Sequence, residues 1–108
     1  MIKKRRALYQ TRDGRSPFEE WVGDLKDTAA RARIWARIAR ASLGNLGDHR
    51  GVGGGVIELR VHVGPGYRVY VGLYGEALIV LLCGGDKSTQ AEDIVRAQRY
   101  WEDFLARL

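Results

Sequence analysis

Between residues 56 and 74 the chain changes hydrophobic period to two, and this limits the fold more than any other feature. Ile57, Leu59, Val61 and Val63 alternate with Glu58, Arg60 and His62. After Gly64-Pro65-Gly66, Tyr67, Val69, Val71 and Leu73 alternate with Arg68, Tyr70, Gly72 and Tyr74. Alternation of this kind marks half-buried strands, and the glycine-proline-glycine between them is turn chemistry, so the segment reads as a β-hairpin. A three-residue loop at 64 to 66 sets Val63 opposite Tyr67, Val61 opposite Val69 and Leu59 opposite Val71. His62 then lies across from Arg68 and Arg60 across from Tyr70, with the two arginines diagonal and roughly 7 to 8 Å apart along the backbone.

The flanks supply the remaining elements. Lys4 to Gln10 reads as a first strand ending at the turn dipeptide Asp13-Gly14. Ser16, Pro17 and Glu19 form a helix start, and Phe18, Trp21, Val22 and Leu25 put four apolar side chains on one stripe. Asp27 opens a second helix with Ala30, Ile34, Ile38 and Ala41 on its inner face, ending near Gly44-Asn45. Gly51 to Gly55 reads as a glycine-rich connection. Ala77 to Cys83, an unbroken apolar run, suits a central strand, and Gly84 to Lys87 a loop. A last helix, capped by Ser88 or Thr89 with Glu92, carries Ile94, Ala97, Trp101, Leu105 and Leu108. The expectation is one α+β domain over 1–108: strand, two helices, three antiparallel strands, helix, with the helices on one apolar sheet face.

With 18 Lys and Arg against 13 Asp and Glu, the net charge is +5, which favours polyanionic partners. Cys83 is the single cysteine and lies in an apolar run, so it packs as a small hydrophobe. No apolar segment follows the basic MIKKRR start and none approaches a bilayer span, so a cytoplasmic protein without a membrane partner is expected. The glycines at 51 to 55 lack the pattern of a phosphate-binding loop, and the scattered His and Cys lack metal-ligand spacing; no metal or cofactor is expected.

Chemistry concentrates on the polar face of the hairpin. Arg60 and Arg68 are spaced to clamp one phosphate with planar, charge-assisted donors, and Tyr70 or Tyr74 can stack a splayed base. His62 and Glu58 are the candidates for taking a proton from a ribose 2′-hydroxyl. The alternative is an ordinary solvated sheet face neutralised by Glu58. On the second helix Arg33, Arg37 and Arg40 form a basic stripe that either binds RNA or is simply solvated.

Several strings together resemble a known family: Ser16-Pro17-Phe18 with Trp21, Gly44-Asn45, GGGVIELR at 53–60, GPGYRVY at 64–70 and GGDKSTQ at 84–90, with Asp93-Ile94, Ala97 and Tyr100-Trp101. The sequence resembles the phage-derived, HigB-like branch of the RelE/ParE toxin superfamily, the addiction-module killer proteins of type II toxin-antitoxin systems. That resemblance implies a RelE-like fold and a metal-free endoribonuclease that cuts messenger RNA on the ribosome and leaves a 2′,3′-cyclic phosphate. It implies a cognate HigA-like antitoxin with a helix-turn-helix domain, through which alone the toxin meets operator DNA. By the same resemblance Arg60 and Arg68 hold the scissile phosphate, and Lys87 lies in the family's post-strand loop. Many members carry a catalytic Tyr or His near the chain end. This sequence instead ends in an amphipathic helix, where Tyr100 stands outside any matching motif. The superfamily also contains ParE-type inhibitors of DNA gyrase, so a gyrase inhibitor and a non-catalytic nucleic-acid or antitoxin binder are the competing functions.

Overall fold

The computed structural model describes residues 3–108. Its elements are β1 (Arg5–Leu8), α1 (Pro17–Asp24), α2 (Thr28–Ser42), β2 (His49–Gly53), β3 (Val56–Val61), β4 (Tyr67–Tyr74), β5 (Leu78–Asp86), a 3-10 turn (Lys87–Thr89) and α3 (Gln90–Ala106). They form an α+β unit around a five-stranded mixed sheet in the order β1-β5-β4-β3-β2. The four later strands pair antiparallel, and β1 joins the far edge parallel to β5.

Local chemistry starts the first two helices as the residues dictate. Ser16 Oγ accepts from the Glu19 N–H with Pro17 in the first turn, and Asp27 Oδ1 accepts from the Ala30 N–H. Phe18, Val22, Ala30, Ile34, Ile38 and Ala41 pack on Leu59, Val61, Val69, Val71, Ile79 and Leu81, closing the first core. The third helix departs from expectation. Thr89 makes no capping bond, and its hydroxyl donates to the Asp93 carboxylate at 2.6 Å, while Asp86 caps the 3-10 turn.

Five further expectations are corrected. The helices do not share one face, because α3 covers the opposite side, where Ala97 and Trp101 pack on Val56, Tyr70, Val80 and Leu82. The glycine-rich segment is not merely a connection: His49–Gly53 is a strand that hydrogen-bonds to β3. The hairpin register is shifted by two residues, with Val61 opposite Tyr67, Leu59 opposite Val69 and Ile57 opposite Val71. A shift of two preserves which side chains share a face, so the apolar row stays inward. Finally, Gly84, Gly85 and Asp86 continue β5, and Leu105 and Leu108 are exposed, with Phe104 packing on Trp101 in their place.

Gly72 explains how α3 approaches so closely. A Cβ there would stand 2.3 Å from the Trp101 ring, far inside contact distance. Overpacking a filled core typically costs about 1–3 kcal/mol. Gly72→Ala is therefore expected to lower the unfolding free energy from urea titration by that amount; an unchanged value would show that the ring can shift without cost.

Candidate active-site cleft and its arginine cluster

Pairing of β3 with β4 places Glu58 opposite Tyr70 and Arg60 directly opposite Arg68. The arginines are thus nearest cross-strand neighbours rather than a diagonal pair, which brings their Cβ atoms to roughly 4.5–5.5 Å. Two like charges so close require a counter-charge, and Glu58 supplies it. Its fully buried carboxylate lies 3.3 Å from Arg60 Nε, 3.6 Å from Arg68 Nε and 3.5 Å from Arg50 Nε on β2. The other oxygen accepts from the Tyr70 hydroxyl at 3.1 Å and from Gln90 Nε2, at the start of α3, at 2.9 Å. Burial alone would raise this carboxyl, but the hydrogen bonds from Gln90, Tyr70 and Arg60 and the charge of Arg68 outweigh it and hold its pKa below the usual range.

This arrangement corrects two expectations. Glu58 cannot serve as a proton acceptor for a substrate, because it is inaccessible and its oxygens already accept from Arg60, Tyr70 and Gln90 beside the charges of Arg50 and Arg68; it orders the arginines. Tyr70 cannot stack on a base, because its ring is buried and its hydroxyl is bonded to Glu58, with burial and that carboxylate pushing its pKa well above the usual phenol range. Tyr74 is exposed but sits at the opposite end of β4, edge-on to Phe104, roughly 20 Å along the strand from Tyr67.

Arg60 and Arg68 open onto a cleft of about 490 Å³, bounded also by His62, the 64–66 turn, Tyr67 and Lys87. Because β5 ends at Asp86 opposite Tyr67, Lys87 emerges beside the end of the hairpin. Arg60, Arg68 and Lys87 are therefore brought together, three cations around one space. His62 lines the same cleft, largely exposed, with Nε2 2.5 Å from Asp48 Oδ2. Asp48 Oδ1 lies 3.7 Å from Arg60 Nη1. The hydrogen bond from His62 and the charge of Arg60 lower the Asp48 pKa despite some desolvation. A carboxylate gripping one ring nitrogen fixes the tautomer and leaves Nδ1 of His62 as the basic nitrogen.

The basic stripe of α2 divides in two. Arg33 and Arg40 are exposed, whereas Arg37 is buried, donating from Nε to the Arg60 carbonyl at 2.9 Å and from Nη2 to the carbonyls of Leu46 and Asp48. Arg37 thereby anchors the loop before β2 and the strand bearing Arg60, a different task from the surface contact its spacing suggests. Burial and the neighbouring Arg40 lower its pKa.

Sequence reasoning missed Asp48, Arg50 and Gln90. Asp48 and Arg50 precede the glycines that read as a loop, and Gln90 stands inside a helix start; only tertiary pairing gives them meaning. Among the described residues no three His, Cys, Asp or Glu side chains converge on a metal-sized space, and no helix is long and apolar enough to cross a membrane.

The paired carboxylates give stability an acid limb. Glu58 and Asp48 have depressed folded-state pKa values, so their contribution is full above the unfolded values, near 4.5 and 3.8, and is lost as pH falls through the lower folded values. Urea midpoints measured from pH 7 to pH 3 are expected to hold steady to about pH 5 and then decline. A flat profile would mean that these carboxyls gain nothing on folding.

No family model matches the sequence. It is 49% identical over 81 residues to an uncharacterized protein of Haemophilus influenzae (strain ATCC 51907 / DSM 11121 / KW20 / Rd), an alignment covering 75% of this chain and 82% of that protein. Identity of this level over most of both chains makes the protein a member of the same family as the Haemophilus protein.

Proposed function

We propose that this protein is an RNA-cleaving toxin of a type II toxin-antitoxin pair, acting on messenger RNA at the ribosome. The observation that carries the reading is the packing of Arg60 and Arg68 side by side around buried Glu58, facing a cleft shared with Lys87 and the Asp48–His62 pair. The three cations stabilise the charge that develops on a pentacoordinate phosphorus, and Glu58 holds two of them, Arg60 and Arg68, in place before the substrate arrives. His62 Nδ1 takes the proton of a ribose 2′-hydroxyl as the 2′-oxygen forms its bond to phosphorus. The bond from phosphorus to the 5′-oxygen breaks, and that oxygen takes a proton from water. The products are a 2′,3′-cyclic phosphate and a 5′-hydroxyl.

Resemblance to the HigB-like branch of the RelE/ParE superfamily supports the same reading and a HigA-like antitoxin as partner. A ribosome that holds the codon in a bent path would contribute the positioning that so small a cleft lacks. Primer extension on a reporter message after brief induction, with and without translation of that message, tests the function. Cuts confined to translated codons are expected. Intact messages together with loss of gyrase supercoiling activity would replace the reading with gyrase inhibition.

A further inference from the structure

A second cleft, of about 300 Å³, adjoins the first and is lined by Arg33, Ala36, Arg37, Arg40, Asp48 and the stretch Arg60–His62. The two clefts share the wall formed by Arg60, Val61 and His62. Arg37 and Arg40 converge here: an Nη2 of each reaches within 3.2 Å of the point where a Cβ on Gly47 would stand. Gly47 adopts φ +58°, and its lack of a side chain lets both guanidiniums lie against the backbone.

Among the described residues none of Arg33, Arg37 and Arg40 is paired with a carboxylate. Asp48 is the nearest acid, and its oxygens are engaged by His62 and Arg60. Arg37 is only 6% exposed and keeps Nη1 without a hydrogen-bond partner. The glutamate that neutralises the arginines of the first cleft has no counterpart in the second. A cluster of three arginines whose one neighbouring acid, Asp48, is already committed to His62 and Arg60, with Arg37 anchored and Arg33 and Arg40 exposed at the rim, keeps positive charge for an anion.

The geometry points to a second phosphate subsite here, occupied by a neighbouring phosphate of the same RNA strand whose scissile phosphate lies between Arg60 and Arg68. This inference rests on the RNA-cleaving reading and specifies its substrate as an extended single strand contacted at more than one phosphate. Continuity through Arg60 and His62 favours a strand over an acidic protein segment, since one polyanion then satisfies both clefts. Arg33 and Arg40 bind from the exposed rim, and Arg37 supplies fixed charge from beneath.

The test is binding of a fluorescein-labelled, 2′-O-methylated eight-nucleotide RNA, followed by anisotropy across a salt series. For single strands each phosphate contact contributes about 0.7 to the slope of log affinity against log salt. The double variant Arg33→Ala/Arg40→Ala is expected to lower that slope by about 1.4 and weaken binding at least tenfold at moderate salt. Arg5→Ala/Arg6→Ala removes the same charge from β1, at the other edge of the sheet, and is expected to change the slope by less than half as much. Equal effects of the two double variants would overturn the subsite, as would an unchanged slope for Arg33→Ala/Arg40→Ala. Polyglutamate that displaces the RNA stoichiometrically, and loses affinity in the same variant, would reassign the cleft to an acidic protein. Arg68→Ala is measured alongside: if it weakens RNA binding while Arg33→Ala/Arg40→Ala does not, the second subsite fails and the first stands. RNA binding indifferent to all these variants defeats both.

Discussion

Arg68→Ala is expected to abolish growth arrest in cells that express the protein, with the purified variant unfolding no earlier than the unaltered one. Removing one charge-assisted donor from a preorganised site typically slows the chemical step by roughly a hundred- to a thousandfold. The fold should tolerate the loss. Arg68 lies opposite Arg60, its Nε is buried without a hydrogen-bond partner, and its nearest carboxylate oxygen is 3.6 Å away. Its removal leaves Glu58 with Arg50, Arg60, Tyr70 and Gln90 and relieves repulsion between the arginines. The paired measurements are reporter-message cleavage and thermal unfolding. Undiminished arrest by a folded Arg68→Ala protein would remove the cleft from the mechanism.

Glu58→Ala is expected to do the reverse and damage the fold first. It strips the shared partner from three guanidiniums, a phenol and an amide at once, and breaking a buried charge pair from one side commonly costs about 3–5 kcal/mol. For a domain near 100 residues each kcal/mol corresponds to about 4–8 °C in melting temperature, so a fall of at least 12 °C is predicted. Glu58→Gln keeps an acceptor for Tyr70 but not the charge. It should fall between the two and flatten the acid limb of stability, because a depressed carboxyl has been removed. A Glu58→Ala protein that melts with the unaltered one would show that the arginines do not depend on this carboxylate.

The parts of this molecule legible in the sequence are those set by local rules. Ser16 and Asp27 cap their helices, the apolar stripes of α1 and α2 meet the core, and the alternation at 57–73 assigns each side chain its face. Register was harder, because shifts of two leave the face pattern intact and only the tightness of the turn decides between them. The second face of the sheet was misread for a different reason. Glu58, Arg60, Arg68 and Tyr70 look like solvent residues, yet the first and last are fully buried, since a carboxylate can enter a core when donors from β2, β3, β4 and α3 converge on it. No window of contiguous sequence contains that set. Arg60, Arg68 and Lys87 could still be named, because resemblance marked them, whereas Asp48 depends on a loop whose path only the folded chain defines.

The sheet order also sets a timetable for assembly. Its edge strand β1 is made first but finds its partner β5 only some seventy positions later, and the amide of Gln90 that completes the Glu58 shell comes later still. During synthesis the first of these segments leaves the ribosome well before the last, and long-range pairings of this kind form slowly. A nascent chain halted before α3 would therefore carry the arginines and Glu58 without the Gln90 amide that completes their shell and without the helix that covers that face of the sheet. The cleavage proposed above would then mature only as the last helix is made.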